Sequence, residues 1–373
     1  MSSEEWTFVT KSTRRRYRSG AAKARPGLHQ PSIKKDNRGN RDQYHTIVSK
    51  SKGRVVVIQA LLECMESLER QYRAGEGFVI RLLNALANAT NHNVSTDDRN
   101  ESKCKLPNLE EIVVYGVGNF SCEIYSASML QLAVALLLRR LAVEAATNGS
   151  SRDYDNHQEL NIDGSTNATS FSFDQQRIPI FYYEPCTLPL EKVLLQEVFY
   201  VHVLESNDMG KLSVSSMNEQ LQSQTSQPQN IRKQNSQYNT LFYMPHCPMR
   251  LYCNIIWAHW DHIMAPQQAQ LDSIPTNPVV VFGNSFHAYD ERTISSEQKS
   301  DPTNGIFRLI QCVNEQSIYS ASENKNLEDS LIMLERAFND CNVISFSIPQ
   351  DTNIEKPQEY FLSDDIYENG ELL

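Results

Sequence analysis

Apolar residues recur every three or four positions from Val55 onward. Ile58, Leu61, Leu62, Met65 and Leu68 share one face, and after Gly75 and Gly77 that face is repeated by Val79, Leu82, Leu83 and Leu86. This spacing predicts two amphipathic helices packed on a sheet. The pattern then changes. Ile112, Val113, Val114 and Tyr115 form a short unbroken apolar run that ends at Gly116 and Gly118. The following helix carries Leu130, Val134, Leu137 and Leu141 on one stripe and Leu132 and Leu136 on another. A helix apolar on nearly every side belongs between a sheet and a second layer.

Further short runs follow. Ile178 to Tyr183 ends in Glu184-Pro185, a helix spans Leu190 to Gln196, and a third apolar run spans Val198 to Leu204. Thr240 to Met244 leads into Pro245-His246-Cys247-Pro248 and an aromatic helix from about Met249 to Met264. Pro278 to Phe282 ends in Gly283-Asn284-Ser285-Phe286. A polar loop near 290–304, helical stretches at 305–315 and 325–338, and a last strand from Asn342 to Ile348 complete the pattern. Strands alternating with helices predict an α/β fold. The expected architecture is Rossmann-like: a doubly wound, mostly parallel sheet with helices on both faces, built as one domain over residues 55–349.

Composition limits how much of the chain can join that core. Residues 11–54 hold 14 Lys and Arg against two Asp, a net of +12, in a chain whose formal charge is −10. Residues 1–54 are therefore expected to form a disordered basic tail, and the acidic body is a poor nucleic-acid binder. Only the tail could contact RNA. Residues 147–177 are rich in Asn, Ser, Asp and Gln, and in 213–239 Ser, Gln and Asn fill 17 of 27 positions. Both are expected as disordered insertions, and 350–373 as an acidic C-terminal tail. No run approaches the ~20 apolar residues of a membrane span, and no secretory leader is visible. Cytoplasm, with nucleus as a second location, is the expected compartment, and the eight cysteines are expected as thiols.

In doubly wound sheets ligands sit outside the carboxyl ends of the strands. The unusual residues of this chain fall there: Gly116, Gly118, Asn119, Ser121, Glu184, Asn207, Asp208, His246, Cys247, Asn284 and Ser285. Glycine after a strand allows positive φ and close approach of a ligand to the backbone. Glu184 stands where dinucleotide folds place an acid on ribose hydroxyls, or else it caps the turn before Pro185. His246, Cys247, Cys253, His259 and His262 raise a metal site, which a continuous helix argues against, since Cys253 and His262 would face opposite sides. Cys247-Pro248 also suits a haem thiolate ligand or a nucleophilic thiol. An adenine-containing ligand and haem are both open as cofactors; no catalytic residue is identified.

The motifs VVYGVGNF at 113–120, QLAVALLL at 131–138, YYEP at 182–185, TLFYMPHCP at 240–248, LYCNIIWAHW at 251–260 and FGNSF at 282–286, with FNDCNVISFSIP at 338–349, resemble one family in series. It is the sensitivity to red light reduced family, with plant, animal and fungal members. The chain departs from that pattern at Met129, where an arginine is usual. The resemblance implies a regulatory protein, acting in circadian rhythm and light response in plants, and in clock-gene expression and haem biosynthesis in animals. It carries no catalytic residue over. An enzyme binding a nucleotide or S-adenosylmethionine, of methyltransferase type, is the alternative, and a scaffold with unknown protein partners a third.

Overall fold

A sheet whose central strands are buried on both faces positions the described helices. The computed structural model describes residues 51–75, 77–90, 109–148, 178–205, 209–211, 240–264, 279–319, 329–349 and 352–358. In chain order the first elements are α1 (Ser51–Arg73), α2 (Gly77–Thr90), β1 (Glu111–Tyr115) and α3 (Ala127–Asn148). β2 (Ile180–Tyr183) and α4 (Pro189–Val193) follow, then a π-helical turn (Leu194–Val198) and β3 (His202–Val203). Next come β4 (Thr240–Met244), α5 (Met249–Ala258), α6 (Trp260–Met264), β5 (Val279–Asn284), α7 (Phe286–Arg292) and α8 (Ser296–Ser300). The last are α9 (Gly305–Leu309), β6 (Val313–Ser317), α10 (Asp329–Phe338) and β7 (Cys341–Phe346).

The strands form one sheet in the order β3-β2-β1-β4-β5-β7-β6. The five from β3 to β5 are parallel, and β7 runs antiparallel to both β5 and β6. Strand side chains alternate between faces, so each strand feeds two cores. Ile112, Val114, Ile180, Tyr182, Leu241 and Tyr243 enter one, beneath α1, α2, α3 and α10. Val113, Tyr115, Phe181, Phe242, Met244 and Val281 enter the other, beneath α5, α6, α7 and α9. Burial on both faces explains the unbroken apolar runs. The chain leaves β1 toward β2 through α3 on one face, and leaves β4 toward β5 through α5 and α6 on the other. Opposite directions on opposite faces are what right-handed crossovers require.

Helix α3 is the sandwiched helix that its sequence predicts. Every residue from Met129 to Arg139 is buried, and the helix packs on β1, α1 and α10. Each buried leucine there contributes about 2 kcal/mol relative to exposure. Arg139 is the exception in character: its guanidinium donates to the carbonyls of Phe199 (2.6 Å) and Tyr200 (3.2 Å) at the end of the π-helical turn. Burial pulls its pKa down to about 10. A positive charge suits that end, because the last carbonyls of a helix carry partial negative charge.

Several boundaries differ from the sequence expectation. The helix expected through 305–315 stops at Leu309; a 3-10 turn at Ile310–Cys312 leads into β6. Val313-Asn-Glu-Gln-Ser is half exposed at the sheet edge and has too little apolar pattern to announce a strand. The polar loop at 290–304 contains the end of α7 and all of α8, whose N-cap Ser295 accepts from the Gln298 amide. The apolar run at 198–204 yields only the two-residue β3. Helix α1 packs mainly on α2 and α3 rather than directly on the sheet. The basic tail and the two polar insertions lie outside the described residues, except that α1 starts at Ser51 and α3 reaches Asn148. Residues 352–358 lie on the body: Pro357 is buried, and the Gln358 amide donates to the Pro302 carbonyl at 2.8 Å. No helix among the described residues is long and apolar enough to cross a membrane.

The aromatic helix expected at 249–264 is broken. His259 (φ −108°, ψ 17°) separates α5 from α6, so the rotation argument against a shared metal site does not apply across it. The rings of His259 and His262 lie 6.4 Å apart, and no group of three His, Cys, Asp or Glu able to hold a metal occurs among the described residues. His259 is fully buried against Phe242, with Nδ1 3.0 Å from the Ile255 carbonyl. Burial pulls its pKa from 6.5 to about 4. The unfolded chain therefore binds a proton in that interval that the folded chain refuses, so stability rises with pH through it. Between pH 7.5 and pH 5 His259 is expected to remove about 2 kcal/mol of stability. Urea unfolding of the wild type and His259→Phe at both pH values measures this, and the variant should lose less on acidification.

Candidate functional site

The order of the sheet reverses at β1: the chain goes from β1 to β2 on one side and later returns to β4 on the other. The loops after β1 and β4 therefore part above the sheet, which is where α/β proteins hold ligands. The first of these loops is shaped by its glycines. Gly116 (φ 68°) extends the ladder by one bond, its amide donating to the Tyr183 carbonyl at 3.3 Å. A Cβ on Gly116 would stand 2.6 Å from the Sγ of Cys247, so only glycine fits over the β4 loop. A Cβ on Gly118 (φ 78°) would meet Ser128 Oγ at 3.0 Å, on the first turn of α3. Gly116 is thus required by packing as well as by its backbone, whereas Gly118 is favoured by its positive φ and meets only the movable hydroxyl of Ser128.

Two carboxylates hold the amides of this turn. Glu184 accepts from the Gly118 amide on Oε2 (2.9 Å) and from the Cys186 amide on Oε1 (3.1 Å). It links the loops after β1 and β2 and holds the turn at Pro185, one of the two alternatives expected of it, and it remains half-buried at the edge. Glu191, wholly buried, accepts from Ser121 N at 2.7 Å on one oxygen and Leu188 N at 2.9 Å on the other. Burial raises the Glu191 pKa, while the N–H groups of Leu188, Ser121 and Phe120 and the Ser121 hydroxyl oppose that rise. Asn119, between the two held amides, has a buried Oδ1 with no hydrogen-bond partner among the described residues.

The β4 and β5 ends form a second cluster. His246 takes positive φ (60°), its amide donates to Asn284 Oδ1 (3.1 Å), and its Nε2 lies 3.0 Å from the Ala337 carbonyl. Burial pulls its pKa down against the Ala337 carbonyl and Asp340. Asn284 Nδ2 donates to the Cys247 carbonyl (3.1 Å) and to Tyr289 Oη (2.9 Å). Tyr252 Oη donates to the Met244 carbonyl (2.6 Å) and accepts from the Asn284 amide (2.9 Å). It occupies the space a Gly283 side chain would need, 2.5 Å from an added Cβ. Ser285 is engaged elsewhere. It caps α7 by accepting from the Ala288 amide at 3.0 Å, and donates to Glu315 Oε2 at 2.6 Å. Glu315 also accepts from the amides of Phe286 (2.6 Å) and His287 (2.9 Å), and from Asn342 Nδ2 (2.8 Å).

The structure thus brings together Gly116, Gly118, Asn119, Ser121 and Glu184 on one side and His246, Cys247 and Asn284 on the other, joined where Cys247 lies under Gly116. Asn207 and Asp208 lie outside the described residues. Cys247 is the expected residue whose surroundings differ most from expectation. Its thiol is 2% exposed and donates to the Tyr115 carbonyl at 3.4 Å, and burial pushes its pKa well above the ordinary value. Desolvation governs this thiol although it stands just before the first turn of α5. A protonated thiol enclosed under Gly116 is a poor nucleophile and gives haem iron no open approach. Glu191, Tyr252, Tyr289 and Glu315 were not foreseen. The three-residue spacing from Leu188 to Glu191 is that of a capping box, hidden because leucine holds the cap position. No local signal connects Glu315 to Ser285, thirty residues away.

Comparison with known proteins adds the family context. The profile described as the SRR1 domain matches residues 79–345. The chain is 23% identical over 214 residues to Protein SENSITIVITY TO RED LIGHT REDUCED 1 of Arabidopsis thaliana, covering 57% of this chain and 54% of the relative. It is 32% identical over 95 residues to the SRR1-like protein of Mus musculus, covering 26% of this chain and 25% of the relative. The chain thus spans about half the length of the plant relative and a quarter of the mouse one. No solved structure matches.

The contact of Gly116 with Cys247 predicts a specific coupling. Gly116→Ala adds a methyl group at positive φ and against sulfur, and is expected to cost about 2–4 kcal/mol. Adding Cys247→Ala should recover about 1 kcal/mol or more of that in a double-mutant cycle. Urea denaturation of the four chains measures the coupling, and strict additivity would mean that the two residues do not touch.

Proposed function

The chain belongs to the SRR1 domain family, and we propose that it is a regulatory protein whose Rossmann-like sheet holds a small ligand outside the ends of β1, β2 and β4. The observation that carries this reading is the reversal of strand order at β1, with the Gly116–Ser121 turn and the Cys247 loop facing each other across it. The regulated process follows from the family resemblance: circadian or clock-gene expression and control of haem biosynthesis, acting in the cytoplasm and also the nucleus. The plant relative's name, sensitivity to red light reduced, agrees with a signalling role. Burial of Cys247 favours a role for haem biosynthesis as a regulated process over haem as a thiolate-bound ligand of this edge.

A second reading is favoured by one observation. An order of 3-2-1-4-5-7-6 with the seventh strand reversed is also the arrangement of methyltransferases that use S-adenosylmethionine. By analogy of fold, an enzyme of that type is the alternative, with Glu184 on the ribose. Its weakness is the chemistry of the edge. His246 is bonded to a carbonyl and Cys247 is enclosed, so neither is placed as a general base.

Mass spectrometry of small molecules released on denaturing the purified full chain tests the proposal. A single compound near one equivalent per chain is expected. Release of nothing above a heat-treated control would contradict a resident ligand. Conversion of added S-adenosylmethionine to S-adenosylhomocysteine by the chain, with a methylated acceptor, would replace the regulator by the enzyme.

A further inference from the structure

We infer that the ligand of this edge is a phosphate-free molecule with a vicinal diol, the chemistry of a nucleoside rather than a nucleotide. The inference rests on the reading that a small ligand is held there, and concerns only its class. A phosphate at a glycine turn needs open backbone N–H groups or fixed cations. Here two of the N–H groups of the β1 turn and two at the start of α7 are already taken from within. Gly118 donates to Glu184 at 2.9 Å and Ser121 to Glu191 at 2.7 Å. At the β5 end the Phe286 and His287 amides both donate to Glu315, at 2.6 and 2.9 Å. A phosphate would have to displace a carboxylate whose charge it shares and whose side chain is tied by other bonds.

Four cationic or titratable side chains near these loops already have partners, the two exposed ion pairs more weakly than the bonds of Arg250 and His246. Lys192 pairs with Glu205 at 2.9 Å and Arg292 with Asp340 at 3.0 Å. Arg250 is directed to Thr303 and Asn304, both at 2.8 Å, and His246 is held by a carbonyl. What the turn does offer is acceptors. Each Glu184 oxygen takes one amide and keeps further lone-pair capacity, and the carboxylate stays half-exposed at the end of β2. Two adjacent acceptors suit two adjacent hydroxyls. The buried, unpartnered Oδ1 of Asn119 beside Gly118 asks for a donor as well. Phosphate oxygens are acceptors; ribose hydroxyls and amino groups are donors. Complementarity therefore selects a ligand that donates.

Thermal shift and calorimetry on the full chain with four ribonucleosides, S-adenosylhomocysteine, 2′-deoxyadenosine, ATP and NAD test this. A ribonucleoside-type compound is expected to stabilise the protein, its 2′-deoxy counterpart to bind at least tenfold more weakly, and ATP and NAD to give no shift. Glu184→Gln sets an NH2 donor against one of the two amides that the carboxylate holds, so it should weaken the ribonucleoside at least tenfold and also lower the unliganded melting point. The deoxy comparison needs no variant, so it stands if that substitution disturbs the loop. Tighter binding of ATP or NAD than of the nucleosides would overturn the phosphate-free class and leave the ligand site intact. Binding of no compound would overturn the nucleoside inference, while a different co-purifying molecule would still uphold the site.

Discussion

The carboxyl edge depends on one interaction repeated: a carboxylate of the protein accepting from backbone amides of a neighbouring loop. Glu184 joins Gly118 to Cys186, and Glu191 joins Ser121 to Leu188, so the loop after β1 cannot move without the loop after β2. Such charge-assisted bonds contribute about 1.5–3 kcal/mol each where they are desolvated. Glu191 also bears the cost of its own burial, seen in its raised pKa. A buried acid that is expensive to keep ionised must be surrounded by donors, and it is. The same device at Glu315 fixes the start of α7 to β6 and β7.

Around this frame the tightest contacts are between backbone and side chain. Gly116 lets Cys247 close beneath the turn, and Gly283 lets Tyr252 reach both the Met244 carbonyl and the Asn284 amide. These contacts tie the loops after β1, β4 and β5 to one another.

The parts of the molecule most legible in the sequence are those governed by repeated pattern. The two-sided burial of Ile112 to Tyr115, the apolar wrap of α3 and the strands before Glu184 and Asn284 all follow from apolar runs that need two covered faces. Elements without such a pattern were not legible. β6 lies at an edge and buries little, so Val313 to Ser317 resembles a loop or helix end; the helix breaks at His259, whose ring contact with Phe242 joins residues far apart in the chain. For the site, the turn residues stood out because glycine after a strand is a local signal. Their partners did not: Glu191 and Glu315 act across 70 and 28–30 residues, and only folding brings them to the groups they hold. Cys247 was legible as a special residue but not its enclosure, which comes from the opposite loop.

Internal carboxylates hold the Gly118 and Ser121 amides of the β1 turn. Hydrogen exchange of the 116–122 backbone, followed by mass spectrometry on the unliganded chain, tests it most directly. The account predicts slow exchange at Gly118 and Ser121 in the wild type, accelerated at Ser121 by Glu191→Ala and at Gly118 by Glu184→Ala, with α3 protection unchanged. Exchange of both amides at the rate of an open loop in the wild-type protein would contradict it.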